Sequence, residues 1–210
     1  MSELDLNKKE YTKKVYLNKD RWVSYFWQTN LIHKYSVSGD KILEIGVGNN
    51  VVANFLKENF ELRTVDINSK LNPDIVNSVE DLSDIRDNSF DSILCAEVLE
   101  HLPFDKFEKS LSEIRRVSKK NIIISLPYWG YTFGIKVKLP VVGLKILKFK
   151  INGFKKHIFD KSTAGHYWEI GKKGYSLRKI KKVLRFAKLK ILDSFWDLDD
   201  PYHYYFILEK

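Results

Sequence analysis

Cysteine is nearly absent from this 210-residue chain, because Cys95 is its single copy and no disulfide can form within it. No C-x-x-C pair or Cys/His cluster supports a structural zinc site. Long apolar runs are also missing, and the first residues, MSELDLNKKEYTKK, are too highly charged for an export signal. These absences favour a protein of the reducing cytoplasm that has neither a spanning helix nor a leader.

Acidic residues are scarce in the second part of the chain. Residues 1–127 have 18 basic and 20 acidic side chains, whereas residues 128–210 have 18 basic and 7 acidic ones. The formal charge of +9 therefore comes from the second part. This surplus fits an anionic partner, but a lysine-rich face exposed to water gives the same count.

Short apolar runs alternate with helical patterns up to residue 127. An amphipathic helix is predicted over 17–36, and further helices over 51–60 and about 104–118. The strands predicted between and after them cover 41–45, 62–67, 73–76, 90–98 and 121–127. Such alternation requires crossover connections, so it predicts an α/β fold with a mostly parallel sheet and helices on both faces.

The pattern changes after Pro127. Lysines alternate with apolar residues over 135–139 and 148–151, and a turn at 140–143 separates the two stretches, which predicts a hairpin or an extended flap. Ser176 then caps a basic helix. Two final strands, over 189–197 and 202–209, predict an antiparallel hairpin at the end of the sheet.

The sharpest motif is LEIGVGNN at 43–50, where a strand ends in acid-x-Gly-x-Gly and a helix begins. Glycine lets the backbone approach a ligand closely, and a helix N-terminus offers free N–H groups. A dinucleotide-binding loop would have a third glycine where Val51 stands. Asp66 ends the next strand, 20 residues after Gly46, and a carboxylate there can accept both hydroxyls of a ribose.

These motifs resemble class I S-adenosylmethionine-dependent methyltransferases of the small-molecule type. The resemblance continues in FDSILCAEVLEHLP at 90–103 and RRVSKKNIIISLP at 115–127. LNPDIVNSVEDL (71–82) and KKHIFDKSTAGHYWEIGKKGYS (155–176) are similar to a bacterial and archaeal group, many of whose members are encoded with surface-polysaccharide genes. The family implies a seven-stranded sheet of order 3-2-1-4-5-7-6 with the last strand antiparallel.

The domain organisation follows from this resemblance. A single methyltransferase domain is expected over 1–210, with an N-terminal helical cap at 1–40. Residues 128–170 are expected to form a small basic insertion after strand five, on the substrate side of the sheet.

The resemblance also implies which residues bind S-adenosylmethionine. Glu44 would hold the methionine ammonium and Asp66 the ribose hydroxyls. Asn50 stands where the family has its third glycine, and Asn tolerates left-handed backbone better than most residues. The full set of cofactor-binding residues is Glu44, Gly46, Gly48, Asp66, Ser78, Val79, Cys95 and Ala96.

A general base assists methyl transfer to a hydroxyl, and the candidate catalytic residues are Glu97, His101 and His166. A second interpretation concerns Glu97, Glu100 and His101. Some small-RNA 2′-O-methyltransferases hold a divalent metal with a similar Glu-x-x-Glu-His, which His166 or His157 could complete here. Because magnesium and manganese prefer more oxygen ligands, no metal is predicted.

The sequence therefore predicts methyl transfer to a small-molecule or glycan-linked acceptor at an oxygen atom. The basic insertion is expected to cover the acceptor or to lie against an anionic membrane surface, and no nucleic-acid partner is expected. Two alternatives remain open: an RNA ribose 2′-O-methyltransferase, motivated by the basic second part, and a catalytically inactive cofactor-binding partner subunit.

Overall fold

A seven-stranded sheet organises residues 18–159 and 165–210, which the computed structural model describes. Labelled in chain order, the elements of the first part are α1 (Lys19–Tyr35), β1 (Lys41–Ile45), α2 (Val51–Leu56), β2 (Glu61–Asp66), β3 (Ile75–Val76), β4 (Phe90–Ala96), α3 (Phe107–Val117) and β5 (Ser118–Pro127). Those of the second part are β6 (Tyr131–Leu139), β7 (Gly143–Ile151), α4 (Leu177–Phe186), β8 (Lys190–Phe195) and β9 (His203–Glu209).

The strand order confirms the predicted fold class. The sheet runs β3-β2-β1-β4-β5-β9-β8, and β6 pairs only with β7 in a separate hairpin. Strands β1 to β5 are parallel, whereas β9 is antiparallel to both β5 and β8. Since β8 and β9 are the sixth and seventh strands of the sheet, this is the order 3-2-1-4-5-7-6.

Two hydrophobic cores, one on each face of the sheet, explain why the central strands have apolar side chains on both faces. In β4, Ile93 and Cys95 belong to the core that includes α3 and α4, while Leu94 belongs to the core under α1 and α2. In the same way, Ile122 of β5 belongs to the core that includes α3 and α4, and Ile123 belongs to the core under α1 and α2. A parallel strand covered on both faces needs apolar side chains in both directions.

The first helix forms as predicted, but its buried face differs from the apolar pattern. Trp22 and Phe26 are about half exposed, at 51% and 55%, whereas Ser24 and Gln28 are buried. Gln28 donates to the hydroxyl of Ser24 at 3.0 Å, so the buried polar groups satisfy each other. No helix of the described residues is both long and apolar enough to serve as a membrane span.

The helix predicted over 51–60 is shorter in the structure, because α2 ends at Leu56. Residues 57–59 form a turn. The N–H of Glu61 then donates to the carbonyl oxygen of Asp40 at 3.0 Å, at the point where β2 begins. The hairpin predicted around 140–143 is confirmed over the bounds of β6 and β7.

Arg116, on α3, fixes the segment that leads from β3 to β4. Its guanidinium donates to the carbonyl oxygens of Leu82 and Ile85, each at 2.8 Å. It also pairs with Glu113 at 2.8 Å and with Asp87 at 2.7 Å. Hydrogen bonding to Glu113 and Asp87 raises the pKa of Arg116, so the guanidinium stays charged.

We expect Arg116→Ala to lower the free energy of unfolding by about 2 kcal/mol, because charge-assisted hydrogen bonds to two carbonyls and two carboxylates are lost together. Urea unfolding followed by circular dichroism measures the change. Lys109→Ala is the control, since Lys109 is exposed on the same helix. Equal stability of the two variants would contradict this account of the segment.

Candidate functional site

One edge of the sheet collects the chemically active side chains. The parallel strands β1, β2, β4 and β5 end there, and β9, which runs in the opposite direction, begins there. The pairing of Ile45 with Cys95 and of Pro127 with His203 fixes their relative positions. Open α/β sheets bind ligands at this carboxyl edge, and the region directly above it is called the crevice below.

The loop between β1 and α2 contains two glycines that have positive φ angles but different surroundings. Gly46 has φ +88°, and a Cβ there would lie 2.3 Å from Cγ2 of Val98, so the packing of the protein itself excludes a side chain. Gly48 has φ +50°, and no atom lies within 4 Å of where its Cβ would be. Asn50 adopts the left-handed conformation with φ 62°. The loop therefore leaves open space above Gly48.

Glu44 brings a buried carboxylate to the end of β1. The residue is 4% exposed, and its Oε2 has no hydrogen-bond partner among the described residues. Burial raises the pKa of Glu44 to about 8, and Asp66 adds to the increase while Lys57 opposes it. A cationic ligand would stabilise the charged form of such a group.

Asp66 lies at the end of β2, directly beside the glycine loop. Its Oδ2 accepts the N–H of Val47 at 2.9 Å, and its Oδ1 accepts the N–H of Asn68 at 2.8 Å. These two bonds fix the carboxylate, and each oxygen retains capacity to accept a further hydrogen bond. The arrangement suits recognition of a vicinal diol.

The other cofactor candidates differ in how far their side chains can take part. Val79 and Cys95 are buried in the core that includes α3, so their side chains face the core. Burial raises the pKa of the Cys95 thiol. Ser78 accepts the N–H of Glu80 at 3.2 Å, and Ala96 ends β4 in a partly buried position.

Glu97 follows β4 with a backbone φ of +55°, which is unfavourable for a residue with a side chain. Its Oε1 accepts the hydroxyl of Ser125 at 3.1 Å, and its Oε2 lies 3.4 Å from Nε2 of His203. Burial alone would raise the pKa of Glu97, but His203 and, less strongly, His166 hold it below its ordinary value. Glu97 is therefore a fixed, ionised carboxylate at the crevice.

His203, at the start of β9, connects Glu97 to a second acid. Nδ1 of its ring lies 2.6 Å from Oδ1 of Asp200, whose other oxygen accepts the hydroxyl of Tyr205 at 2.5 Å. Burial lowers the pKa of His203, but Glu97 and Asp200 outweigh it and raise the value to about 9. The raised pKa favours an imidazolium at neutral pH, between the two carboxylates.

The sequence predictions do not include this network, because Asp200 lies in the short connection between the two final predicted strands, where an acid is typical of a turn. The structure shows Asp200 completely buried. The available signal was the spacing Asp-x-x-His-x-Tyr at the start of a strand, which places His203 and Tyr205 on one face.

A second cluster lies beside the first. Glu100, His101 and His166 bring one possible ligand atom each within 4.8 Å of one another. Nδ1 of His166 is 3.2 Å from Oε1 of Glu169, and its Nε2 is 3.9 Å from Oε1 of Glu100. Two imidazoles and one carboxylate suit a transition metal such as zinc better than magnesium.

The cluster differs in membership from the metal set considered in the sequence. Glu97 pairs with His203 instead, and Nε2 of His157 lies 2.8 Å from the carbonyl oxygen of His166. His101 and His166 meet edge to face, with ring centroids 4.9 Å apart. The structure therefore joins His101 and His166, two of the three predicted catalytic residues, in direct contact.

The first helix reaches the same edge. Asn49, in the glycine loop, donates to the hydroxyl of Tyr25 at 2.7 Å, and Trp27 donates to Asp197 at 2.9 Å. The second contact lies in the segment between β8 and β9. Helix α1 thus borders the crevice on the side of the glycine loop.

Comparison with known proteins agrees with this geometry. Residues 43–125 match the family model for the methyltransferase domain. This match begins in β1 and ends in β5, so it includes the glycine loop, Asp66 and Glu97. No curated protein matches the chain.

Solved structures share the fold at low sequence identity. A Burkholderia thailandensis 1,6-didemethyltoxoflavin N1-methyltransferase is 14% identical with a TM-score of 0.61, covering 97% of this chain and 86% of that one. The Bradyrhizobium japonicum N-methyltransferase NodS is 11% identical with a TM-score of 0.61, covering 99% and 94%.

An Archaeoglobus fulgidus S-adenosylmethionine-dependent methyltransferase is 17% identical with a TM-score of 0.58, and the match covers 90% of this chain and 94% of that one. At these identities the likeness concerns the fold, and the family match covers the segment that builds the crevice. Residues 43–125 thus match the methyltransferase-domain family model, and the chain as a whole shares its fold with solved S-adenosylmethionine-dependent methyltransferases.

Proposed function

We propose that the protein transfers a methyl group to an oxygen atom of a small-molecule or glycan-linked acceptor. The observation that carries the proposal is the arrangement of two acids and a glycine loop at the end of β1. There the buried Glu44 carboxylate, the open space above Gly48 and the fixed carboxylate of Asp66 lie next to one another. Glu44 fits an ammonium group and Asp66 fits the hydroxyls of a sugar. The open space above Gly48 fits the part of the ligand that joins the two.

S-adenosylmethionine supplies the methyl group on a positively charged sulfur. In the proposal, Glu44 binds its ammonium and Asp66 its ribose hydroxyls. Ser78 and Val79 line the adenine position, which Arg116 stabilises through the segment that follows β3. Gly46 and Gly48 allow close approach of the backbone, and Cys95 and Ala96 form the floor beside the sulfur.

Glu97 and the two histidines have different proposed roles. Because the pKa of Glu97 is lowered, its carboxylate is a weak base, and it is better suited to orient an acceptor hydroxyl beside a cation. An imidazole is the more effective base near neutral pH. Glu169 beside Nδ1 of His166 leaves Nε2 directed at the cluster, so His166 or the adjoining His101 can receive the proton.

The reaction is an in-line displacement. The acceptor oxygen forms a bond to the methyl carbon while the carbon–sulfur bond breaks and its electron pair stays on sulfur. The hydroxyl proton passes to the imidazole. The protein contributes mainly by alignment and by the exclusion of water.

The choice of oxygen rests on this chain's own residues, because two of the compared structures are N-methyltransferases by name. An amine can attack without a base once it is neutral, whereas a hydroxyl benefits from one. Two contacting imidazoles at the crevice therefore support a hydroxyl acceptor.

Asp66→Ala should weaken S-adenosylmethionine binding roughly ten- to a hundredfold, because hydrogen bonds to a charged acceptor are worth about 1.5–3 kcal/mol. Isothermal titration calorimetry measures the affinity. Asp91→Ala is the matched control, since Asp91 also accepts a backbone N–H, from Lys41 at 2.9 Å, but lies at the start of β4. Unchanged affinity of Asp66→Ala would remove Asp66 from the site.

Binding of the cofactor at pH 7 should release about 0.9 proton, because Glu44 has a pKa of about 8 when empty and becomes ionised beside an ammonium. Calorimetry in buffers of different ionisation enthalpy counts the proton. Glu44→Gln should abolish the release, while Asp66→Ala should retain it. A parent protein that releases no proton would refute the assignment of Glu44.

Turnover should not require a metal, because displacement at a sulfonium needs no Lewis acid. Once an acceptor is identified, initial rates with and without EDTA should agree within error. Loss of activity on chelation and rescue by a divalent metal would contradict this prediction, and rescue by magnesium or manganese in particular would favour the RNA ribose alternative.

A further inference from the structure

The β6–β7 hairpin has two chemically different faces. Cross-strand partners share a face, so Phe133 lies with Phe149, Ile135 with Leu147, and Val137 with Lys145. The face defined in this way, here called the apolar face, consists of Tyr131, Phe133, Ile135, Val137, Leu139, Lys145, Leu147, Phe149 and Ile151. The opposite face has four of the hairpin's five lysines: Lys136, Lys138, Lys148 and Lys150.

The opposite face, here called the lysine face, rests on the protein through three of its four lysines. Lys136 pairs with Asp199, and the ammonium of Lys148 contacts the carbonyl oxygen of Trp196 and lies 4.6 Å from the centre of its ring. A Cβ on Gly134 would lie 2.4 Å from Cδ1 of Leu198, so the hairpin and the segment between β8 and β9 are in close contact.

Lys150 makes the most buried of these contacts. Its ammonium donates to Tyr128 O at 2.8 Å and to Pro201 O, and it lies 4.1 Å from the centre of the Tyr128 ring. Burial lowers the pKa of Lys150 to about 8. The lysines at 136, 148 and 150 therefore hold the hairpin in place and are not available to an external anion.

The apolar face points away from the described residues. Ile135 and Leu147, which form a cross-strand pair, are 62% and 69% exposed, and Val141 in the turn is 96% exposed. Phe133 and Phe149 stack with ring centroids 5.0 Å apart, yet each remains about half exposed. An exposed apolar surface of this extent indicates a binding site.

The charge around the apolar face restricts its occupant. Residues 128–159 contain seven lysines and no acidic residue. Lys145 lies on the apolar face, Lys138 is near the turn, and Lys155 and Lys156 are exposed beyond β7. A second copy would bring lysines against lysines, whereas an anionic lipid surface offers both an apolar interior and negative headgroups.

We infer that the apolar face of this hairpin docks onto an anionic lipid bilayer. Its aliphatic and aromatic side chains enter the interface between headgroups and acyl chains, and Lys138, Lys145, Lys155 and Lys156 contact the negative headgroups. This holds whatever the acceptor is, and a lipid-linked acceptor would meet the enzyme at the same surface.

Cosedimentation with vesicles of phosphatidylcholine and phosphatidylserine tests the inference. Parent protein should bind these vesicles, and the binding should weaken as the salt concentration is raised. It should bind vesicles made only of phosphatidylcholine much more weakly. The double variant Ile135→Asn/Leu147→Asn should bind at least about tenfold more weakly. Val37→Asn/Phe186→Asn, which removes two exposed apolar side chains elsewhere, should match the parent.

A second variant tests the contribution of charge separately from that of the apolar side chains. Its result can be interpreted even if the first variant does not fold. Replacing Lys138, Lys145, Lys155 and Lys156 by Gln should also weaken binding about tenfold or more, with little remaining salt dependence. Binding of either variant at the parent's affinity would overturn the inference, as would a parent that binds neither vesicle. A parent dimer in lipid-free solution that Ile135→Asn/Leu147→Asn converts to monomer would instead assign the face to a second copy.

Discussion

The parallel pairing of β1 to β5 is the constraint on which the site depends. It brings the ends of strands that are distant in sequence to a single edge, so that Gly46, Asp66 and Glu97 become neighbours. The sheet needs apolar residues on both faces to remain covered, and the acids of the candidate site lie at or near the ends of strands. The crevice is therefore polar while the layer beneath it is hydrophobic.

Two buried acids at this edge are kept in opposite states by their surroundings. Glu44 has no cationic partner near enough to offset burial, and its raised pKa leaves it neutral until a cation arrives. Glu97 faces the imidazolium of His203 and stays ionised. One carboxylate can thus change its charge when a cation binds, and the other keeps its negative charge beside the ring of His203.

The antiparallel strand β9 and the segment before it connect the carboxyl edge of the sheet to the hairpin. Asp200 and His203 stabilise Glu97, while Trp196, Leu198 and the neighbouring Asp199 receive the lysine face of the hairpin. The segment between β8 and β9 therefore supports both the candidate site and the orientation of the apolar face. Because Lys136, Lys148 and Lys150 bind inward, the apolar residues on the opposite face of the hairpin point outward.

The sequence by itself determined the fold class and the approximate position of most elements, because hydrophobic periodicity and glycine positions are local signals, whereas the strand order followed from the family resemblance. It also indicated the edge residues Glu44 and Asp66, whose spacing follows strands and turns. Only the tertiary structure decided that His203 and Asp200 hold Glu97, and that the hairpin's lysine face is its inner face. Both depend on which segments meet in space, and alternation along a strand distinguishes two faces without saying which one is covered.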